Sequence, residues 1–209
     1  MRKLFCIFLT VVTLNCTAAQ VADVGCMQLR VVLDEKVTSD VIEKEWGSGD
    51  EHFESPAVLQ LIGCDGRVID RHVLAAPLAK IDPMAIKGAK HPTFLVSVDL
   101  SADAGSYNGP LTIPFQIVGD RLAEALVHSV NRPPEVLRLS QTGKSSWTRV
   151  PRGSFEDLLQ VSSHHLSNGF RASYKRYSVG ALGWRVREIT RKGLWESDQP
   201  FPNIDKFPK

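Results

Sequence analysis

The chain has 209 residues, with 25 basic and 23 acidic side chains and a formal net charge of +2 at pH 7. A charge this close to balance excludes the strongly basic class of nucleic-acid-binding domains, so we expect no nucleic-acid partner. The length suits one domain that is large enough to bury a core.

The first residues have the pattern of an export signal. Two basic residues precede an apolar run over residues 4–14, and Thr17-Ala18-Ala19 offers small residues to a signal peptidase. The apolar run is too short to span a bilayer of roughly 30 Å as a helix. We therefore expect residues 1–19 to be a signal peptide cleaved after Ala19, and the protein to be periplasmic or secreted. Lipidation of Cys16 is the alternative to plain cleavage.

Removing this leader changes the charge and the cysteine content. The leader has two basic residues and no acidic one, so the mature chain is electrically balanced. Cys6 and Cys16 are lost, and the remaining Cys26 and Cys64 are expected to form a disulfide in an oxidising compartment. Two buried free thiols are the alternative. No later apolar run approaches spanning length, so we expect a soluble protein without a transmembrane segment.

The first part of the mature chain alternates strands with turns. Alternating apolar residues predict a strand over 27–33, with Cys26 at its start. Asp65-Gly66 lies between two apolar runs, 57–62 and 68–74, and predicts a hairpin because both turn residues tolerate positive φ. The disulfide would then join the mouth of this hairpin to the first strand.

Two segments beside this hairpin have weaker patterns. Thr38-Ser39-Asp40 can cap a short helix over residues 41–46, which would end at Gly47. Residues 75–91 have little periodicity and contain two prolines, so we expect a long connection there.

The middle of the chain returns to strands. An alternating run predicts a strand over 93–100, and a hairpin of strands 111–118 and 122–130 follows around Gly119-Asp120. Pro114 cannot donate a ladder hydrogen bond, which predicts that its strand lies at an edge or a bulge.

Short strand candidates at 135–139 and 146–150 lead to residues 154–165, which fit either a capped helix or a strand. A hairpin of strands 170–179 and 184–190 closes the series. Together these patterns predict a mostly β fold, an antiparallel β-sandwich or a partly open β-barrel with minor helix. We assign residues 20–192 to a single β-rich domain.

Residues 193–209 form a tail rich in proline and aromatic side chains. Trp195, Phe201 and Phe207, with the prolines between and after them, predict an extended and semi-rigid segment. We expect the aromatic rings to pack the tail into a groove of the domain. Presentation of an exposed peptide to a partner is the alternative.

Two motifs resemble known ligand sites without completing them. Gly143-Lys144-Ser145 matches the end of a phosphate-binding loop, but Arg138 occupies the position of its first glycine, which favours a polar turn. His164 and His165 would point to opposite faces of a strand and would not easily share one metal ion.

A calcium-like spacing is also incomplete. Asp99, Ser101 and Asp103 alternate as oxygen ligands do, but Ala104 and Pro110 occupy the positions of the EF-hand glycine and of its terminal acid. A hairpin loop, or a calcium site of another type, are the alternatives. We predict no metal site, no cofactor and no nameable catalytic residue.

Charge is segregated along the mature chain. Residues 34–54 hold eight acidic and two basic side chains, whereas residues 171–192 hold seven basic and one acidic. Arg185, Arg187 and Arg191 share one strand face by their spacing. The candidate binding residues are Arg171, Tyr174, Lys175, Arg176, Trp184, Arg185, Arg187 and Arg191. A solvated hairpin screened by the acidic segment is the alternative.

The function expected from these observations is non-enzymatic binding. A basic face with interleaved aromatic residues can engage an anionic envelope glycan, an anionic lipid or an acidic protein. Two other hypotheses stay open. One is an envelope hydrolase with a catalytic site assembled through space, and the other is an inhibitor or structural accessory protein that acts through its tail or acidic segment.

Overall fold

The structure is a computed structural model that describes residues 21–33, 56–76, 78–99, 107–129, 132–180 and 183–209. Several sequence predictions fall outside these residues. They are the signal peptide over 1–19, the short helix over 41–46, the acidic segment 34–54, and Ser101 and Asp103 of the calcium-like loop.

The described residues form strands and a single 3-10 turn. The elements are β1 (Val21–Val24), β2 (Met27–Val32), β3 (Val58–Ile62), β4 (Val68–Val73), β5 (Ala79–Ile81), β6 (Thr93–Val98), β7 (Leu111–Val118), β8 (Arg121–Glu124), β9 (Leu126–His128), β10 (Glu135–Val136), β11 (Leu139–Ser140), β12 (Ser145–Arg152), β13 (Phe155–Leu166), β14 (Gly169–Gly180), β15 (Gly183–Lys192) and the 3-10 helix Ile204–Lys206. In this part of the chain no helix is long and apolar enough to cross a membrane.

The strands pair into three sheets. The outer sheet has the order β1-β2-β3-β4, and the middle sheet has the order β11-β7-β6-β5, with β8 also paired to β7. The C-terminal sheet has the order β10-β9-β15-β14-β13-β12. The pairings described are antiparallel except for the parallel contact of β9 with β15. The predicted antiparallel β class is confirmed, and the sheets are arranged as a sandwich rather than a closed barrel.

The middle sheet is buried on both faces. Phe94, Val96 and Val98 of β6 pack into a core shared with the outer sheet. Leu95, one residue out of phase, belongs to a second core shared with the C-terminal sheet. Because successive strand residues point to opposite faces, one apolar strand supplies both cores. This explains why Leu95 is apolar although it lies on the same face of β6 as Thr93 and Ser97.

The predicted hairpin around Asp65-Gly66 is present as β3 and β4. Gly66 has a φ of 80°, a conformation that suits glycine. Cys64, in the same turn, is joined to Cys26 in the β1–β2 turn, with their Cα atoms 4.9 Å apart. Two neighbouring turns of the outer sheet are thereby tied together. A bridge across 38 residues stabilises the fold by roughly 4 kcal/mol in the chain-entropy model.

Three sequence interpretations need correction or completion. The expected connection over 75–91 contains strand β5 and the buried Ile86. The ambiguous segment 154–165 is strand β13, since its apolar residues face two different layers. The strand with Pro114 is not at an edge: β7 lies inside the middle sheet. On one side of β7 the paired strand changes at Pro114, from β11 before it to β8 after it, so the missing N–H of proline interrupts neither pairing. The Pro114 carbonyl accepts the N–H of Ala125, just past β8.

Candidate anion-binding site

The β14–β15 hairpin sorts the predicted binding residues onto two faces. Arg176 lies opposite Arg187, and Tyr174 lies opposite Ile189, so these four share one face. We call this the tail face, because the C-terminal tail covers it. The tail face carries Tyr174, Arg176, Arg185, Arg187 and Arg191, while Arg171, Lys175 and Trp184 lie on the opposite, core-directed face.

The two aromatic residues predicted for the site are both covered. Trp184 is 1% exposed and packs in the core between the middle and C-terminal sheets. Tyr174 is 7% exposed and meets Phe207 edge to face, with ring centroids 5.5 Å apart. The Arg191 guanidinium lies 5.9 Å from the centre of the Tyr174 ring. These rings therefore contact the protein itself and leave the arginines as the groups available to a ligand.

The tail is attached to the sheet at its beginning by polar and apolar contacts. Trp195 is buried beside Leu159 and Val161 of β13. Its backbone N–H donates to Ser163 Oγ at 2.8 Å, and the Ser163 hydroxyl lies 2.8 Å from the Trp195 carbonyl oxygen. The next residue, Glu196, forms an ion pair with Lys144.

The Gly143-Lys144-Ser145 motif belongs to this attachment. Ser197 donates its N–H to the Gly143 carbonyl at 3.0 Å, next to the Lys144 ion pair. The motif resembling a phosphate-binding loop is a polar turn that holds the tail.

An open pocket of about 350 Å³ lies at the other end of the tail face. We call it the arginine pocket. It is lined by Arg152, Asp157, Arg176, Ser178, Val179, Gly180, Arg185, Arg187 and Lys209. Among these lining residues, five side chains are basic and one is acidic. Four strands supply it, because β12, β13, β14 and β15 are consecutive neighbours in the C-terminal sheet.

Asp157 organises two of the four arginines. Its carboxylate is fully buried and accepts from Arg152 Nε at 2.9 and 3.0 Å and from Arg176 Nε at 2.9 Å. A buried carboxylate is retained in a fold when it is paired and hydrogen-bonded in this way. Because the contacts use the Nε atoms, the terminal guanidinium nitrogens remain for other acceptors. One negative charge thus orients two positive charges without using all of their donors.

The other basic groups of the pocket are less engaged. Arg176 also donates through Nη1 to the Pro208 carbonyl at 3.3 Å, and Arg187 Nη1 donates to the Lys209 carbonyl. Arg185 is exposed and has no hydrogen-bond or ion-pair partner among the described residues. The pocket therefore presents several cationic donors that an anion can reach.

The remaining predicted binding residues lie elsewhere. Arg171 lines a cleft of about 250 Å³ together with Arg191 and Lys192, at the open end of the β14–β15 hairpin and beside the β13–β14 turn. Lys175 lies opposite Glu188 in a mixed-charge cleft beside Tyr177. Burial, with the nearby charges of Glu188 and Glu135, raises the pKa of the Tyr177 phenol well above its ordinary value.

The sequence interpretation missed Arg152 and Asp157. A signal for Asp157 was present, because it has the same strand parity as the buried Leu159 and Val161. An acid at an inward-facing position requires a partner, and Arg176 supplies one from the next strand. The ambiguity between helix and strand over 154–165 concealed this parity.

Comparison of the chain with protein-family models, with curated proteins and with solved structures finds no match. Within the described residues, no three His, Cys, Asp or Glu side chains are grouped so as to hold a metal ion. The geometry of the arginine pocket is therefore the observation on which a functional assignment rests.

Proposed function

We propose that this protein is an exported, non-enzymatic binding protein that holds an anionic component of the cell envelope in the arginine pocket. The observation that carries the proposal is the composition of the pocket walls, with five basic side chains against one acidic side chain that is already engaged. The leader pattern and the joined cysteines support the exported location.

Arginine suits this task for two physical reasons. The guanidinium is planar, carries several donors in a fixed fork and stays protonated across the physiological range. Hydrogen bonds between a guanidinium and an anionic oxygen are also shorter and stronger than those between neutral groups. A phosphate or carboxylate group in the pocket would gain such bonds from side chains that two buried contacts already hold in place.

The test is equilibrium binding of residues 20–209 to two anionic probes. One probe is vesicles of phosphatidylcholine with phosphatidylglycerol, and the other is soluble glucose 6-phosphate. We expect binding to at least one probe at low salt, and a loss of about tenfold or more in affinity when the salt concentration is raised about tenfold, because exposed charges are screened.

A charge-reversal pair shows whether the pocket is responsible. The double variant Arg185→Glu/Arg187→Glu should abolish binding. The matched control is Arg71→Glu/Arg121→Glu, which reverses two exposed arginines on the outer and middle sheets and should bind normally. Absence of binding to both probes, or equal losses in the two double variants, would overturn the proposal.

A further inference from the structure

The end of the tail already fills part of the arginine pocket with acceptor oxygens. Arg176 Nη1 donates to the carbonyl of Pro208 at 3.3 Å, and Arg187 Nη1 donates to the carbonyl of Lys209. These two arginines are cross-strand partners, so they offer their donors side by side. The carbonyl oxygens mark two positions at which an acceptor is bound in the pocket.

We propose that the ligand of the arginine pocket is a phosphomonoester, and that its oxygens replace the carbonyl oxygens of Pro208 and Lys209. The ligand and the end of the tail then compete for Arg176 and Arg187. This inference rests on the proposed function, since it names the ligand class and the regulation of the same site.

The charge of the pocket favours a dianion with several oxygens. A phosphomonoester has three terminal oxygens and close to two negative charges at neutral pH. The donors to meet them are the terminal nitrogens of Arg152, which Asp157 does not use, and the guanidinium of Arg185. A volume of about 350 Å³ also leaves room for a small polar group attached to the phosphate, such as a sugar or glycerol.

The end of the tail can leave the arginine pocket while the beginning stays bound to the sheet, because the two are anchored separately. The beginning is held by Trp195 through its paired contacts with Ser163. The end is held by the buried ring of Phe207, which stacks on Phe201 at 5.7 Å and follows one exposed 3-10 turn. The Pro208 oxygen is a neutral carbonyl, and in a chain that ends at Lys209, as the tested residues 20–209 do, the Lys209 oxygen belongs to a carboxylate with a single negative charge. A phosphomonoester carries close to two negative charges, so its oxygens make the stronger bonds to the same guanidinium groups.

Hydrogen exchange on the unaltered chain tests the competition. The amides of Lys206 and Phe207 donate within the 3-10 turn, to the carbonyls of Asn203 and Ile204 at 2.9 and 3.0 Å. Saturating glucose 6-phosphate should speed their exchange several-fold, whereas the Trp195 amide should not change. Slower or unchanged exchange at Lys206 and Phe207 would overturn the competition, because a ligand that merely adds contacts protects its surroundings.

A matched pair of tail variants tests the same point by affinity. Phe207→Ala removes the anchor of the tail end and should tighten glucose 6-phosphate binding about three- to tenfold, because the competitor is weakened. Ile204→Ala, at an exposed position of the same turn, should leave the affinity unchanged. Equal or weaker binding by Phe207→Ala would show that the tail is a wall of the pocket and not a competitor.

The pH dependence tests the ligand class. Between about pH 5 and pH 7.5 a phosphomonoester gains a second negative charge, because its second pKa is about 6, whereas a sulfate ester stays a monoanion. Affinity for glucose 6-phosphate should therefore rise about fivefold or more, while affinity for glucose 6-sulfate stays level. The groups that face the pocket are Arg152, Asp157, Arg176, Arg185, Arg187 and Lys209, and any titration among them would affect both esters alike. Parallel curves for the two esters would overturn the phosphomonoester assignment.

These outcomes are distinct from failure of the proposed function. If the pocket binds no anion, the unaltered chain retains neither ester and no vesicles. If the pocket binds anions but this inference is wrong, binding is present and depends on Arg185 and Arg187, without the tail or pH effects. Vesicles with phosphatidic acid, compared with glucose 6-phosphate, separate a lipid source of the phosphomonoester from a glycan source.

Discussion

The β14–β15 hairpin carries two groups of basic residues with different surroundings. In the arginine pocket, Arg176 lies opposite Arg187 and is held from the neighbouring strand by the buried Asp157. At the open end of this hairpin, beside the tip of the neighbouring β13–β14 hairpin, Arg171 lies opposite Lys192, and the described residues that line their cleft include no acid. We call this place the tip. The two groups resemble each other in sequence and differ in what surrounds them.

The difference shows that basic residues form a defined binding site when a buried acid fixes their positions. Like charges on adjacent strands repel one another, and exposed side chains lower that cost by spreading into solvent. In the pocket, the buried carboxylate of Asp157 prevents two arginines from moving apart. It binds both Arg152 and Arg176, and the Arg176 side chain is only 16% exposed. Arg152 and Arg176 are thereby held in place before any ligand arrives. Arg171 and Lys192 have no such acid in the lining of their cleft.

The largest effect should follow from removal of the buried acid. Asp157→Asn keeps the shape of the side chain but removes its charge and one acceptor, so two guanidinium groups lose their partner. Breaking a buried ion pair from one side costs about 3–5 kcal/mol of unfolding free energy. Urea denaturation of the variant measures this loss.

The control for this variant is Asp198→Asn, an exposed acid in the tail that should change the unfolding free energy by less than about 0.5 kcal/mol. A loss of unfolding free energy below about 1 kcal/mol in Asp157→Asn would contradict the view that the acid fixes Arg152 and Arg176. The basic residues of the pocket and of the tip would then be held equally loosely.

A binding comparison of the two groups should give the next largest effect. Arg185→Ala/Arg187→Ala and Arg171→Ala/Lys192→Ala each remove two positive charges from the hairpin. Because a hydrogen bond to a charged group contributes about 1.5–3 kcal/mol, the pocket variant should bind glucose 6-phosphate at least about tenfold more weakly. The tip variant should stay within about threefold of the unaltered chain. Isothermal titration calorimetry measures both, and equal losses would mean that only net charge matters.

Many of the strands and turns could be predicted, because they depend on residues that are close together in the sequence. Alternating apolar residues identify strands such as β2 and β6, and the Asp65-Gly66 pair identifies its hairpin, since turn chemistry acts within a few residues. Pairing across the sheet is a property of the whole chain, so the position of β7 inside the middle sheet did not follow from Pro114. The stacking of the three sheets also depends on the whole chain, and for the same reason it could not be predicted from local patterns.

The site could be predicted only in part. Charge segregation indicated the hairpin that supplies part of the arginine pocket, and the spacing of Arg185 and Arg187 placed both on one face, where the pocket lies. The sequence did not show that both aromatic rings are covered by the protein, because sequence cannot tell a ring that covers a core from one that meets a ligand. Trp184 packs between two sheets, and Tyr174 lies under Phe207. The partner acid could not be found without the strand assignment of β13.

The smallest effect is expected at an ion pair that resembles the pocket contacts but whose acid lies nearer to solvent than Asp157. Lys144 and Glu196 pair where the tail begins, and the Glu196 side chain is 39% exposed. Lys144→Met should cost no more than about 1 kcal/mol of unfolding free energy, because partly exposed pairs gain little over solvation. Urea denaturation measures the change, and Lys87→Met, at an exposed position, is the control. A loss above about 2 kcal/mol would mean that Lys144 contributes to stability on the same scale as Asp157. The exposure of the acid would then not determine how much such an ion pair contributes.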